Sequence, residues 1–176
     1  NIQFFSRAGK PFHTLGKLEK DLTDLGISNC VLDGEICMQN EDGSDDFQGI
    51  LKELQKKDHT IKNPKYWVFD FLTLEEFENK EGAVPLSERL IRRSRLNESE
   101  YATIQNLNQS LITEESEIAE ITAYSKKSGW EGLIARRNVG YEGKRTRNML
   151  KLKDFYDAEY VVQDLIMAPQ RVIVEG

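Results

Sequence analysis

W-E-G-L-I-A-R-R-N-V-G-Y-E-G-K-R-T-R-N-M-L-K-L-K, residues Trp130 to Lys153, reads as two short strands joined by a basic turn. An acid and a glycine open the apolar run Leu133-Ile134-Ala135, Arg136 and Arg137 close it, and a glycine-bearing loop leads to Met149–Lys153. Strand, turn and strand at this spacing predict an antiparallel pair. The segment 123–153 holds nine Lys and Arg against two Glu, a balance of +7 in a chain of net charge −6, which leaves −13 for the rest. A cationic stretch in an acidic protein asks what anion it faces.

The 176 residues suffice to bury a core, and 39% hydrophobic with 31% charged residues is ordinary for a soluble globular protein. No apolar run approaches the roughly 20 residues that cross a bilayer. The first residue is Asn and no signal peptide follows, so a cut N-terminus is expected. Cys30 and Cys37 sit at an odd spacing in one predicted strand and would point to opposite faces. A disulfide between them is not expected, a reducing cytosol is, and no C-x-x-C pair suggests zinc. An acidic chain is a poor general coat for nucleic acid, but a local groove is compatible with it.

Outward from residues 130–153, helices and strands alternate along the chain. Residues 1–6 read as a strand running into the turn Arg7-Ala8-Gly9-Lys10. Leu15, Leu18, Leu22 and Leu25 form a helical stripe that ends at Gly26. Cys30–Met38 reads as a strand interrupted by Asp33-Gly34-Glu35, and Phe47, Ile50, Leu51 and Leu54 mark a short amphipathic helix. Tyr66–Leu72 is the best strand, Pro85–Leu96 a helix, Tyr101–Leu107 a strand, and residues from Thr113 toward Gly129 a helix. Tyr160–Ile166 predicts one more strand, with another beginning at Ile173 and Val174. Uneven connections and several hairpins favour an α+β fold of mixed, largely antiparallel sheets over a doubly wound one. The visible boundary is Asp154–Glu159, and the seventeen residues after it are too few for a domain.

Five groups carry chemistry, and each has a bland reading beside it. Lys151 and Lys153 share a strand face, which suits a phosphate between two ammonium groups or a plain edge strand. Glu131 before Gly132 could anchor a divalent cation near those lysines, or be a charged turn residue. Glu35 in Asp33-Gly34-Glu35 could accept two hydrogen bonds from a sugar diol, or mark a bulge. Trp67, Phe69 and Phe71 alternate onto one face, which could stack a base or belong to the core. Arg7 and Lys10 around Gly9 could contact phosphate, or form a solvated hairpin tip. Neither G-x-x-x-x-G-K-S/T nor G-x-G-x-x-G occurs, and His13 and His59 are isolated, so no standard phosphate loop or histidine-based nucleophile is supported.

In order, S-R-x-G-K (Ser6–Lys10), D-G-E (33–35), aromatic-F-D (through Phe69-Asp70), E-G-L-I (131–134) and R-x5-K-L-K (Arg145 to Lys153) resemble the ATP-dependent DNA ligases of the covalent nucleotidyltransferase superfamily, of phage or bacterial type. The resemblance implies an ATP-grasp-like nucleotidyltransferase domain over residues 1–155, followed at 156–176 by the first part of an OB-fold. It implies that Arg7 contacts nucleotide or nick phosphate, Glu35 binds the ribose, Phe69 stacks on adenine and Arg145 adds a nucleotide contact. Lys151 and Lys153 would touch the α-phosphate and offset charge as pyrophosphate leaves, which makes them the catalytic pair. Glu131, with Glu35, would hold Mg2+ or another divalent cation. ATP would be the AMP donor, nicked double-stranded DNA the partner, the protein a cytoplasmic monomer without membrane contact, and its roles DNA repair, replication and recombination.

The family's nucleophile is a lysine in K-x-D-G or K-x-N-G just upstream of S-R-x-G, and neither pattern occurs in these residues. The expectation is therefore an internal fragment of the adenylation domain that alone does not self-adenylate. An RNA ligase or capping-type guanylyltransferase is the nearest alternative, and a non-catalytic nucleotide-binding module the more distant one. Glu131, where capping enzymes usually carry Asp, favours a ligase.

Overall fold

The computed structural model describes residues 1–40, 46–98, 103–153 and 161. In chain order come β1 (Phe4–Phe5), β2 (Pro11–Phe12), α1 (Gly16–Asp24), β3 (Cys30–Cys37), α2 (Phe47–Leu54), β4 (Lys65–Thr73) and α3 (Leu74–Glu78). Then follow β5 (Glu81–Gly82), α4 (Leu86–Arg93), a 3-10 turn at Ser94–Glu98, β6 (Ile104–Asn106), α5 (Glu115–Lys127), β7 (Leu133–Arg136), β8 (Tyr141–Glu142) and β9 (Met149–Leu152). The α+β expectation holds: β1–β2, β3–β4, β5–β8 and β7–β9 pair antiparallel, and β4–β6 runs parallel. The expected strands at Tyr160–Ile166 and Ile173–Val174 lie outside the described residues. Among the described residues no helix is long and apolar enough to cross a membrane.

The core forms where the leucine stripe of α1 meets the central sheet. Leu15, Leu18 and Leu22 pack with Ile50 of α2, Ile61, Tyr66 and Val68 of β4, Leu96 and Ile104 of β6. Burying these side chains is the main favourable term in folding, at about 25 cal/mol per Å² of apolar surface. Local signals set the ends of the elements. Asp46 caps α2 by accepting from the Gly49 amide at 2.7 Å. Thr73 and Glu76 form a capping box that ends β4 and starts α3 at once. Asp33-Gly34-Glu35 does not interrupt its strand: β3 runs unbroken through it. A Cβ on Gly34 would come within 2.4 Å of the Trp67 carbonyl oxygen, so glycine lets the partner strand approach.

The irregularity lies on the partner strand. Asp33 pairs with Asp70 and Gly34 with Val68, so Phe69 is one residue more than β3 can match. The bulge changes the phase of β4. Phe71 pairs with Leu32 and is only 7% exposed, on the opposite face from Trp67. The expectation that Trp67, Phe69 and Phe71 share a face is thus corrected: strict alternation fails at a bulge, and Asp70 takes the place expected for Phe71.

Candidate functional site

Glu131, Lys151 and Lys153 come together at one end of the β7–β9 ribbon. Lys151 donates to a Glu131 carboxylate oxygen at 2.7 Å and Lys153 to the same oxygen at 3.5 Å. A Cβ on Gly132 would lie 2.4 Å from the Leu152 carbonyl oxygen, so this glycine permits the close pairing that brings acid and lysines together. Glu131 is 73% exposed, and the hydrogen bond and charge of Lys151, then those of Lys153, hold its carboxyl below the usual glutamate range. Exposed ion pairs are weak. A phosphate could replace the carboxylate between the two ammonium groups at small cost, freeing Glu131 oxygens for a cation.

On one face of β3–β4, Glu35 stands opposite Trp67 and Asp33 opposite Asp70, the two β3 acids exposed and Asp70 buried. Trp67 and Phe69 are half-buried there, with the Lys65 ammonium 6.0 Å from the Trp67 ring centre. Alternation in β7–β9 sets Ile134 and Arg136 on the same face as Met149 and Lys151. The Arg136 guanidinium leaves that face and bonds the Asp70 carboxylate, and it reaches the Phe69 carbonyl at 3.4 Å. The two faces are therefore fastened together at one corner.

Asp70, 1% exposed, also takes a two-pronged bond from Arg89 of α4, at 2.9 and 3.0 Å. Burial opposes its charge, but the bonds from Arg89 and Arg136 more than offset that and hold the carboxyl below the usual aspartate value. Beside it, paired with it across β3–β4, Asp33 meets solvent. Desolvation there pushes its carboxyl up, and the charge of Asp70 adds to the effect, while Arg136 and the Gly34 amide work against it. Tyr141 of β8 feels both carboxylates: burial first, then Asp33 and Asp70, raise its phenol.

Arg7 lies in an exposed turn that closes with the Ser6 amide on the Lys10 carbonyl at 2.8 Å. Arg145 is exposed in the loop between β8 and β9, which Glu142 fixes by accepting from Thr146 and Asn148, both at 2.7 Å. Among the described residues no hydrogen bond or ion pair joins Arg7, Arg145 or Glu35 to the Glu131 group. Nor do three or more His, Cys, Asp or Glu side chains gather as a metal centre among them. The hollows beside the β1–β2 hairpin and beside His59 contain none of the seven candidate residues. Sequence reasoning missed Asp70, Arg136, Arg89 and Tyr141. The signal for the first two was present, as the acid that follows Phe69 and the arginine that closes Leu133–Ala135.

With that geometry in view, comparison with known proteins is specific. Residues 1–153 match the family model described as "ATP dependent DNA ligase domain". The multifunctional non-homologous end joining protein LigD of Pseudomonas aeruginosa is 29% identical over 164 residues, covering 92% of this chain and 19% of that protein. The LigD of Mycobacterium bovis is 29% identical over 169 residues, covering 92% and 20%. The chain thus spans about a fifth of the length of these curated relatives. Among solved structures, Pmar-Lig_PreS3 superposes with a TM-score of 0.75 at 27% identity, covering 88% of this chain and 38% of that one. Chlorella virus DNA ligase-adenylate shares the fold, with a TM-score of 0.61 at 22% identity and coverage of 89% and 58%. On the match over residues 1–153, this chain belongs to the ATP dependent DNA ligase domain family.

Proposed function

We propose that the chain is the nucleotide-binding part of an ATP-dependent DNA ligase, which seals nicks in double-stranded DNA through enzyme–AMP and DNA–adenylate intermediates. One observation carries the reading. The Glu131–Lys151–Lys153 group and the Glu35–Trp67–Phe69 face belong to two sheets that Arg136 and Asp70 fasten together. An aromatic and carboxylate wall suits adenosine, and a lysine pair suits phosphate. Phe69 stacks on adenine, Glu35 accepts from the ribose hydroxyls, and Lys151 and Lys153 bind the α-phosphate. Arg7 contacts nucleotide or nick phosphate and Arg145 adds a nucleotide contact, both from exposed loops. The adenylation-domain reading of residues 1–155 rests on the described residues up to Lys153, and the OB-fold start expected at 156–176 lies outside the described residues apart from residue 161.

In the first step of that chemistry a lysine amine forms a bond to the α-phosphorus, the bond to the β-phosphate oxygen breaks, and pyrophosphate leaves with the electron pair. Lys151 and Lys153 meet the negative charge that grows on the α-phosphoryl oxygens, which is where fixed cations act most strongly. Mg2+ keeps several waters and takes only one or two carboxylates beside phosphate oxygens. Glu131, exposed and released from the lysines by an incoming phosphate, fits that role, with Glu35 as the second carboxylate. A bound cation would draw charge from the α-phosphate.

Titrating the full chain with ATP and Mg2+ tests the reading. ATP should bind, Lys151→Ala and Glu131→Ala should weaken it by about tenfold each, and intact mass should show no AMP adduct, since no K-x-D-G or K-x-N-G is present. Absence of ATP binding, or an adduct on this chain, would overturn the assignment of roles. For the DNA assignment, a protein carrying this chain should seal a nick with a DNA 3′-hydroxyl strand, and preference for an RNA 3′-hydroxyl strand would reverse it.

A further inference from the structure

We infer that Arg136 is a positioning residue that sets the phosphate end of the site against its adenine end, acting through Asp70 and the carbonyl of Phe69. The inference deepens the nucleotide reading and rests on it. Arg136 closes β7, two residues beyond Ile134, which is the partner of Lys151. Its guanidinium crosses from the ribbon to β4 and meets the Asp70 carboxylate. The same group reaches the carbonyl of Phe69, the residue proposed to stack on adenine.

Why the strut lands there follows from the bulge. Phe69 has no partner on β3 and none on β6, so its carbonyl stands outside both ladders. A half-buried carbonyl needs donors. Gln109 supplies one at 2.8 Å, and Arg93 and Arg136 each reach it at 3.4 Å. The two residues that close the bulge, Phe69 and Asp70, are thus held by arginines from α4 and from β7. A guanidinium is planar, with donors in a rigid fork, so it fixes direction as well as distance. The Glu131 end of the ribbon has no comparable tie to β4 among the described residues. The angle at which Arg136 enters β4 therefore governs how far Lys151 stands from the Trp67 and Phe69 rings. A shift on the order of 1 Å in such a spacing is enough to lose a phosphate contact while an aromatic stack survives.

The test compares ATP with adenosine on the full chain, because adenosine uses only the β3–β4 wall. The unaltered chain should bind ATP about tenfold or more tightly than adenosine, the scale of charge-assisted contacts. Arg136→Met should cut that ratio to about twofold while adenosine affinity changes by less than about twofold. Arg136→Lys, with one donor group in place of a fork, should restore part of the ratio. Asp70→Asn should narrow it as well, although Asp70 is too buried to touch a ligand. A second measurement covers the case that Asp70→Asn does not fold. In the Arg136→Met background, Lys151→Ala should no longer affect ATP binding, whereas a direct Arg136–phosphate contact would leave the two losses additive.

Loss of both ligands together, in step with a lower melting temperature, would reduce Arg136 to a fold-holding role and overturn the inference. So would an ATP preference that survives Arg136→Met but disappears in Lys151→Ala, and that result would leave the nucleotide reading standing. Failure of the unaltered chain to bind either ligand would overturn the reading, and the inference with it.

Discussion

Asp70 is a carboxylate nearly without water, gripped by Arg89 from α4 and by Arg136 from β7. Removing one member of a buried ion pair leaves the other charged and unpaired, at a cost of about 3–5 kcal/mol. Asp70→Ala is therefore expected to lower stability by that amount in urea denaturation, and a loss under about 1 kcal/mol would show that water reaches Arg89. The pH dependence has a definite sign. Because the folded carboxyl sits below its ordinary value of 3.8, its contribution is complete above that value and is lost as pH falls through the lower, folded one. Acid unfolding should be shallower in Asp70→Asn than in the parent. Asp33 behaves in the opposite way. Its folded carboxyl is raised above 3.8, so the charged form costs stability at neutral pH and the cost disappears in acid. Asp33→Asn should raise the urea midpoint at pH 7, with the gain fading toward pH 3.8, and an unchanged midpoint at pH 7 would mean that Asp33 is fully hydrated. A carboxylate kept where it destabilises the fold, beside the proposed ribose and phosphate groups, marks a place where stability is traded against binding.

Among the elements, α4 departs furthest from the usual rule for amphipathic helices. Its buried residues include Arg89 and Arg93, while Ile91 is 70% exposed. Arg89 serves Asp70 and the carbonyls of Val84 and Val139, Arg92 serves Glu76 of α3, and Arg93 serves the Val68 carbonyl. The helix is thus a bank of donors for buried and half-buried acceptors, among them Asp70 and the Phe69 carbonyl at the β4 bulge. Ile91→Lys should change stability by less than about 0.5 kcal/mol, whereas Arg89→Met should cost several times more, as measured by thermal and urea unfolding. Equal losses would place the apolar side of α4 inward after all. The same helix shows what could be read from sequence and what could not. Its position was legible from Pro85 and the residues that follow, because helix starts are local. Its buried face was not, since that face is set by an acid nineteen residues away and a strand irregularity that no period reveals. The leucines of α1, the β7–β9 hairpin and the Glu131–Lys151–Lys153 cluster were legible for the converse reason: spacing and register alone bring those groups together. In β4, alternation gave Trp67 correctly and Phe71 wrongly, because one extra residue between them reverses every later side chain.

At the scale of the whole molecule, the described residues divide into a well-buried centre and a thinly covered ribbon. The centre joins α1, α2 and the β3–β4–β6 sheet through Leu18, Ile50, Val68 and Ile104. The β7–β9 ribbon has two strands, and Ile134, Met149, Leu150 and Leu152 on it are exposed. Two strands alone are marginal in water. Its ties to β4, α4 and β5 are polar and sit toward one end: Arg136 on Asp70, the Leu86 amide on the Val139 carbonyl at 3.1 Å, and the short β5–β8 pair. Charge divides along the same line, since the segment holding the ribbon is strongly cationic and the remainder strongly anionic. A structure built this way opens in parts, with the least buried unit opening at the lowest free energy. Hydrogen exchange should therefore find the β7–β9 amides exchanging well before those of β3 and β4. Adding ATP should slow the ribbon far more than the centre, because a phosphate between Lys151 and Lys153 ties down the end that polar anchors do not reach. Raised salt should weaken that protection, as it does for exposed cation–phosphate contacts. If ribbon and centre instead exchange at one rate with and without ATP, the molecule opens only as a whole, and the Arg136 tie has no independent ribbon motion to restrain.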